Sequence, residues 1–163
     1  MSLLRPFSLS LIFVAGIACS ASAKTDKEFV TDAIKGDNSE VALGQLAVTK
    51  GSNDQVRSFG QTLVDDHTKH RNEAAALATN LGVSPPDGMT AEAQQEEAKL
   101  QKLTGAEFDK EFGQFMVRDH EKDIVEFKKE ASDGHGQVQQ MASQSLPTLE
   151  KHLQMARGLE TGK

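Results

Sequence analysis

The sequence predicts an all-α protein: four long helices forming a bundle, with a short extra helix in the middle crossover. Three observations carry this. Apolar residues recur at helical spacing through most of the chain, no stretch alternates like a strand, and strand-favouring residues are scarce, with no Trp and no Tyr. A single irregular segment, 82–90, holds Pro85, Pro86 and Gly88 and cannot continue a helix.

Ahead of the helices lies a segment that reads as an address. Arg5 supplies a positive start, Leu9 to Ala18 is an apolar run short for a membrane span, and Ala21-Ser22-Ala23 matches a signal-peptidase site. Residues 1–23 are therefore expected to be a signal peptide and residues 24–163 the helical domain, with Lys24 the mature N-terminus. The alternative is lipidation of Cys19, but Gly16 stands three residues before it, where such signals usually have Leu. Cleavage after Ala23 leaves 140 residues without cysteine, so disulfides and thiolate metal sites are excluded. The segment removes Arg5 and no acid, taking the net charge from −6 to −7. Such acidity argues against nucleic acid and anionic membranes as partners, leaving another protein or a second copy of the chain. With no second long apolar stretch, no transmembrane anchor is expected after processing.

The first helix opens at Thr25-x-x-Glu28, a capping box, and its stripe runs Phe29, Ala33, Glu40, Leu43, Ala47 until Gly51 stops it. Gly36 and Gly44 within it mark either close helix packing or local weakness. The second opens at Ser52-x-x-Gln55 and closes at Gly82, with Val56, Phe59, Leu63, Ala74 and Leu77 inward. Asp66 and His70 fall inside that stripe and His67 at its edge. A short polar helix is expected from Ala91 to Leu103, with Glu92, Glu96 and Glu97 on a solvated face. The third long helix starts at Thr104 or Gly105 and turns Phe108, Phe112, Phe115 and Phe127 inward. Asp119 and Asp123 share its sector, and His120 lies toward one edge. After the turn Gly134-His135-Gly136, the fourth shows Val138, Ala142, Ser145, Leu149, His152 and Ala156, with a kink or a helix start expected at Pro147.

Acids and histidines on apolar faces are costly unless they pair or hold an ion. Here they occur in all four long helices, as Glu40; Asp66, His67 and His70; Asp119, His120 and Asp123; and His152. Counting from the turns at ~1.5 Å per residue, the mismatch in height between Glu40 and His67, and between His120 and His152, is about 3–5 Å, within side-chain reach. One shared layer follows. The candidate metal ligands are Glu40, Asp66, His67, His120, Asp123 and His152, and the cofactor expected of such a set is a divalent ion: iron, zinc, manganese or copper. The two-metal bundle template of paired Glu and Glu-x-x-His is not met, since Leu149 stands where its acid would be. The metal-free alternative keeps Asp66-His67 and Asp119-His120 as orienting pairs, His152 as a core histidine, and Asp123 paired with Lys122 or Lys128. His135, between glycines, is expected in solvent.

These residues also carry a resemblance. Glu40-Val-Ala-Leu-Gly-Gln-Leu-Ala47, Val56 through His67, Gly105-Ala-Glu-Phe-Asp109 and Leu146-Pro-Thr-Leu-Glu-Lys-His152, with His120, resemble a widespread exported bacterial domain of unknown function grouped with ferritin-like bundles. The resemblance spans Asp26 to Arg157. It implies a ferritin-like bundle in a Gram-negative-type cell envelope and marks Glu40, Asp66, His67, Asp109, His120 and His152 as family-pattern positions, with no catalytic residue attached. Asp109 reads as a first-turn acid meeting the helix dipole. The expected function is thus an exported periplasmic domain, structural or interacting and linked to the envelope or to stress. A metal-binding bundle of iron or zinc type is the alternative, and a redox enzyme ranks third. No hydrolase is indicated: there is no mature cysteine, no Ser-His-Asp arrangement beyond chance and no Gly-rich phosphate loop.

Overall fold

A computed structural model describes residues 24–161; the segment expected to be a signal peptide, with Cys19, lies outside them. The helices are α1 (Asp26–Lys50), α2 (Asp54–Asn80), α3 (Ala91–Leu100), α4 (Gly105–Asp133) and α5 (Gly136–Thr161), and the described residues contain no strand. Thr25 and Glu28 form the expected capping box. Asn53, not Ser52, caps α2, accepting from the Val56 N–H at 3.0 Å. Ser52 and Asn53 instead donate to the Asp109 carboxylate. Asp109 therefore ties α4 to the α1–α2 turn rather than serving its own helix dipole. Gly82, at φ 73°, lets the chain leave α2 with the Val83 N–H returning to the Ala78 carbonyl at 2.9 Å.

α3 stops at Leu100, short of the expected Leu103, where the Lys50 ammonium donates to the carbonyls of Leu100 and Gln101. Of its three acids Glu96 is buried, not solvated; burial and the nearby Glu111 raise its pKa. α5 runs through Pro147 without ending.

Contacts across the helices fix their directions. Gly44 meets Gly60 while Asp37 meets His67, so α1 and α2 run antiparallel. Gly113 faces Leu159 and Gln139 reaches Ala131, making α4 and α5 antiparallel. Phe29 against Phe127 and Glu40 against His120 set α1 antiparallel to α4. By the same logic Asp66 to His152 and His70 to Ser145 set α2 antiparallel to α5. The pairs Phe59–Phe112 and His67–His120 then run in the same direction, so α2 and α4 are parallel. A parallel pair needs a connection that travels the length of the molecule, and residues 81–104 supply it. They pass α1 at Asn38 and Ser39, which bond the backbone of Pro86, Gly88 and Thr90, and reach its far end at Lys50.

Apolar side chains form two clusters. One gathers Leu43, Phe59, Leu63, Leu100, Phe108, Phe112 and Met116; the other Phe29, Val30, Ile34, Leu77, Ile124, Phe127 and Leu149. Between them lies a buried polar layer of Asp37, Glu40, His67, His120 and His152.

Candidate metal centre

α2, α4 and α5 each send one histidine into that layer. His67 continues the Phe59–Leu63 row, His120 lies between Met116 and Ile124, and His152 between Leu149 and Ala156. Side chains four apart on a helix share a face, so each imidazole inherits the inward direction of its apolar neighbours. The three rings meet with centroids 5.2–6.0 Å apart. One nitrogen from each, within 4.8 Å of the others, forms a potential ligand set.

The ring nitrogens divide cleanly. Nδ1 of His67 lies 2.9 Å from an Asp37 oxygen, Nδ1 of His120 lies 2.9 Å from the Met116 carbonyl, and Nε2 of His152 lies 2.9 Å from Asp66. The remaining nitrogens, His67 Nε2, His120 Nε2 and His152 Nδ1, are buried and have no hydrogen-bond partner among the described residues. A carbonyl can only accept, so His120 carries its proton on Nδ1 and presents a bare lone pair at Nε2. Burial, with the facing His67 and His152, lowers the His120 pKa to about 3. Burial likewise lowers His152 to about 4, against the pull of Asp66. Both are neutral near pH 7, which is the form that binds metal. An outer acceptor on one nitrogen and a free lone pair on the other is the arrangement by which proteins orient metal-bound histidines.

Asp37 is held below the usual carboxylate range: its burial opposes ionisation, and hydrogen bonds from His67 and His70 outweigh it. Nδ1 of His70 lies 2.8 Å from Asp37, and its Nε2 lies 2.9 Å from Ser145 Oγ. The order Asp–His–Ser is that of a nucleophile triad, yet Ser145 Oγ also lies 2.8 Å from the Met141 carbonyl. The hydroxyl proton goes to that carbonyl, so the oxygen accepts from His70 instead of attacking. Burial works against protonation of His70, but Asp37 raises its pKa overall, and the pair forms an internal salt bridge.

A cavity of about 540 Å³ opens beside the layer, lined by His67 and His70 and by the acids Asp37, Asp66, Asp119 and Asp123 among others. Glu40 is 1 % exposed, and its carboxyl group packs against that of Asp119. Burial, then the charge of Asp119 and a hydrogen bond with it, and then the charges of Asp123 and Asp37 push its pKa well up. Asp123 rises to about 8 through burial, Asp119 and Glu126.

The six predicted ligands thus occupy three places. His67, His120 and His152 converge. Asp66 meets His152 at Nε2, across the ring from the unpartnered Nδ1. Glu40 lies 3.9 Å from Nδ1 of His120, and Asp123 lines the cavity. The lysines expected for Asp123 pair elsewhere, Lys122 with Glu92 and Lys128 with Glu150. His135 is exposed. Asp37 escaped the sequence reading, although it lies four residues after Ala33 and three before Glu40, within the first stripe. The Met116 carbonyl had no sequence signal at all.

The family described as "Domain of unknown function (DUF4142)" matches residues 15–159, and the chain belongs to it. No curated protein matches. Two solved structures share its fold. The crystal structure of a DUF305 fragment from Deinococcus radiodurans is 17% identical, with 86% of this chain and 99% of that one covered and a TM-score of 0.75. CopM in its Cu(II)-bound form is 11% identical, with the same 86% and 99% coverage and a TM-score of 0.73.

Proposed function

We propose that this member of the DUF4142 family binds one copper or zinc ion through His67 Nε2, His120 Nε2 and His152 Nδ1, with Asp37, Asp66 and the Met116 carbonyl orienting the rings. One observation carries the reading: the three buried rings bring ligand nitrogens within 4.8 Å of one another, and each ring has one engaged nitrogen and one buried nitrogen without a partner. Nitrogens up to 4.8 Å apart leave an ion at their centre within about 2.8 Å of each, against ~2.0–2.1 Å for a zinc–imidazole bond. Closure therefore needs side-chain shifts of under about 1 Å. Imidazole donors suit copper and zinc, whereas the carboxylates that would favour iron or manganese lie on the outer side of the rings. The fold shared with a protein solved in a Cu(II)-bound form supports copper as the first ion to try. The role is ion binding or handling, with no reaction attached.

The finer description of the fold in this reading is a ferritin-like four-helix bundle with one long crossover. The protein acts in the periplasm after cleavage behind Ala23, as the apolar run and the Ala-Ser-Ala site support.

The test is metal analysis and calorimetry on purified protein. One ion per chain is expected. The double substitution His120→Ala and His152→Ala should weaken binding by roughly 100-fold or more, and His135→Ala should leave it unchanged. Wild type taking up neither Cu(I), Cu(II) nor Zn(II) at micromolar concentration would sink the reading. The polar layer would then be a structural network in an exported interaction domain.

A further inference from the structure

We propose that the cavity beside the polar layer is the passage by which an ion reaches and leaves the three imidazoles, turning in past Asp66 and His67 on α2. The inference rests on the metal-binding reading above and adds a path to it. The rings themselves have little access to solvent: His120 is 1 % exposed, His152 0 % and His67 6 %. The two apolar clusters close the layer on either side. A hydrated cation crossing them would shed its waters among groups that cannot replace them.

The cavity offers another way in. It is lined by exposed side chains, among them Lys69, Glu73 and Gln144, and also by the buried Asp37 and His67, so it joins the surface to the layer. Of the three imidazoles, His67 borders it, and His120 and His152 do not. Asp66, also on its wall, keeps its side chain 37 % exposed while one carboxylate oxygen lies 2.9 Å from Nε2 of His152. These two consecutive residues are where the cavity meets the imidazole cluster. A volume of about 540 Å³ admits an ion together with several waters. The wall carries both signs of charge, Lys69 and Lys122 as well as Asp119 and Asp123, so a cation in transit meets hydrating groups without a concentrated negative charge to stop it.

Gly36 gives a means of plugging the path. This helical glycine lines the cavity, and a Cβ built on it has an Asp123 oxygen at 3.9 Å as its nearest neighbour, so a side chain has room to grow into the space between α1 and α4. Thr148 stands on the α5 wall of the same cavity and serves as a second position.

Uptake and release of Zn2+ and of Cu2+ are followed by stopped flow against a chromogenic chelator, in wild type, Gly36→Phe and Thr148→Phe. A plug raises the barrier and leaves both end states alone. Uptake and release should therefore slow together, by roughly tenfold or more, with Kd held within about threefold. Gly88→Phe, in the crossover and outside the lining, should leave both rates unchanged. Unchanged rates in both cavity variants, with helicity retained, would overturn the passage and leave the metal site standing. Faster release with unaltered uptake would overturn it too, since the substitutions would then have disturbed the ligands rather than blocked a path. Wild type that takes up neither ion removes the metal-binding reading, and the passage with it.

Discussion

A single carboxylate, Asp37, accepts from both His67 and His70, and the two histidines use it differently. Nδ1 of His70 approaches both of its oxygens, whereas Nδ1 of His67 lies 2.9 Å from one of them and so turns the opposite ring nitrogen away from the carboxylate. The price of burying Asp37 is thus met by one ion pair and reused to point a lone pair inward. Asp123, on the cavity wall, has no such histidine partner, and its pKa of about 8 makes it a measurable liability. The folded protein keeps its proton up to about pH 8 and the unfolded chain loses it near pH 4, so between those values folding carries an extra proton and stability falls as pH rises. Asp123→Asn removes that dependence. In chelator-treated protein, urea unfolding should show the variant gaining on wild type from about pH 4 to pH 8 and holding its advantage above. Parallel stability curves for the two would contradict the assignment.

At the scale of elements, α1 and α2 approach backbone to backbone at Gly44 and Gly60. A Cβ built on Gly60 would lie 2.7 Å from the Gly44 carbonyl oxygen and 2.9 Å from the Ala47 Cβ, and one on Gly44 would lie 2.7 Å from the Gly60 carbonyl oxygen. The obstacle is backbone on both sides, so it cannot be relieved by turning a side chain. Gly60→Ala should therefore push the helices apart and cost about 1–3 kcal/mol. Gly88→Ala in the crossover meets nothing within 4 Å and should be near neutral. Melting temperatures of the two variants decide it; equal values would mean that the crossing is not tight. The same antiparallel register carries Asp37 to His67, so this crossing also holds the orienting carboxylate opposite its histidine.

At the scale of the whole molecule, two apolar clusters clamp a polar layer between them. The parallel placement of α2 and α4, made by the crossover, brings His67 and His120 to one level. No helix among the described residues is long and apolar enough to cross a membrane. Export, as proposed above, has a direct check: protein recovered from the producing bacterium should have the intact mass of a chain starting at Lys24. A lipidated Cys19 at the N-terminus would replace that reading with an anchored one.

Much of this protein is determined by its sequence alone. Helical spacing, the capping box at Thr25 and the break at Pro85-Pro86 define the helices, and residue counts from the turns put Glu40, His67, His120 and His152 near one height. The sequence could not choose between neighbours. It ranked Asp66 above His67 and Asp119 above His120 as inward residues, and the structure reverses both. Consecutive residues on a helix differ by about 100°, so at the edge of an apolar stripe either can face the core. The angle at which the other helices approach makes the choice, and here it admits the imidazoles and leaves the acids at the cavity. The direction of each lone pair is decided later still. It depends on partners distant in sequence, Asp37 for His67 and Asp66 for His152, and on the Met116 carbonyl, a backbone group that every residue type carries. Only the packed helices bring these groups within hydrogen-bond distance.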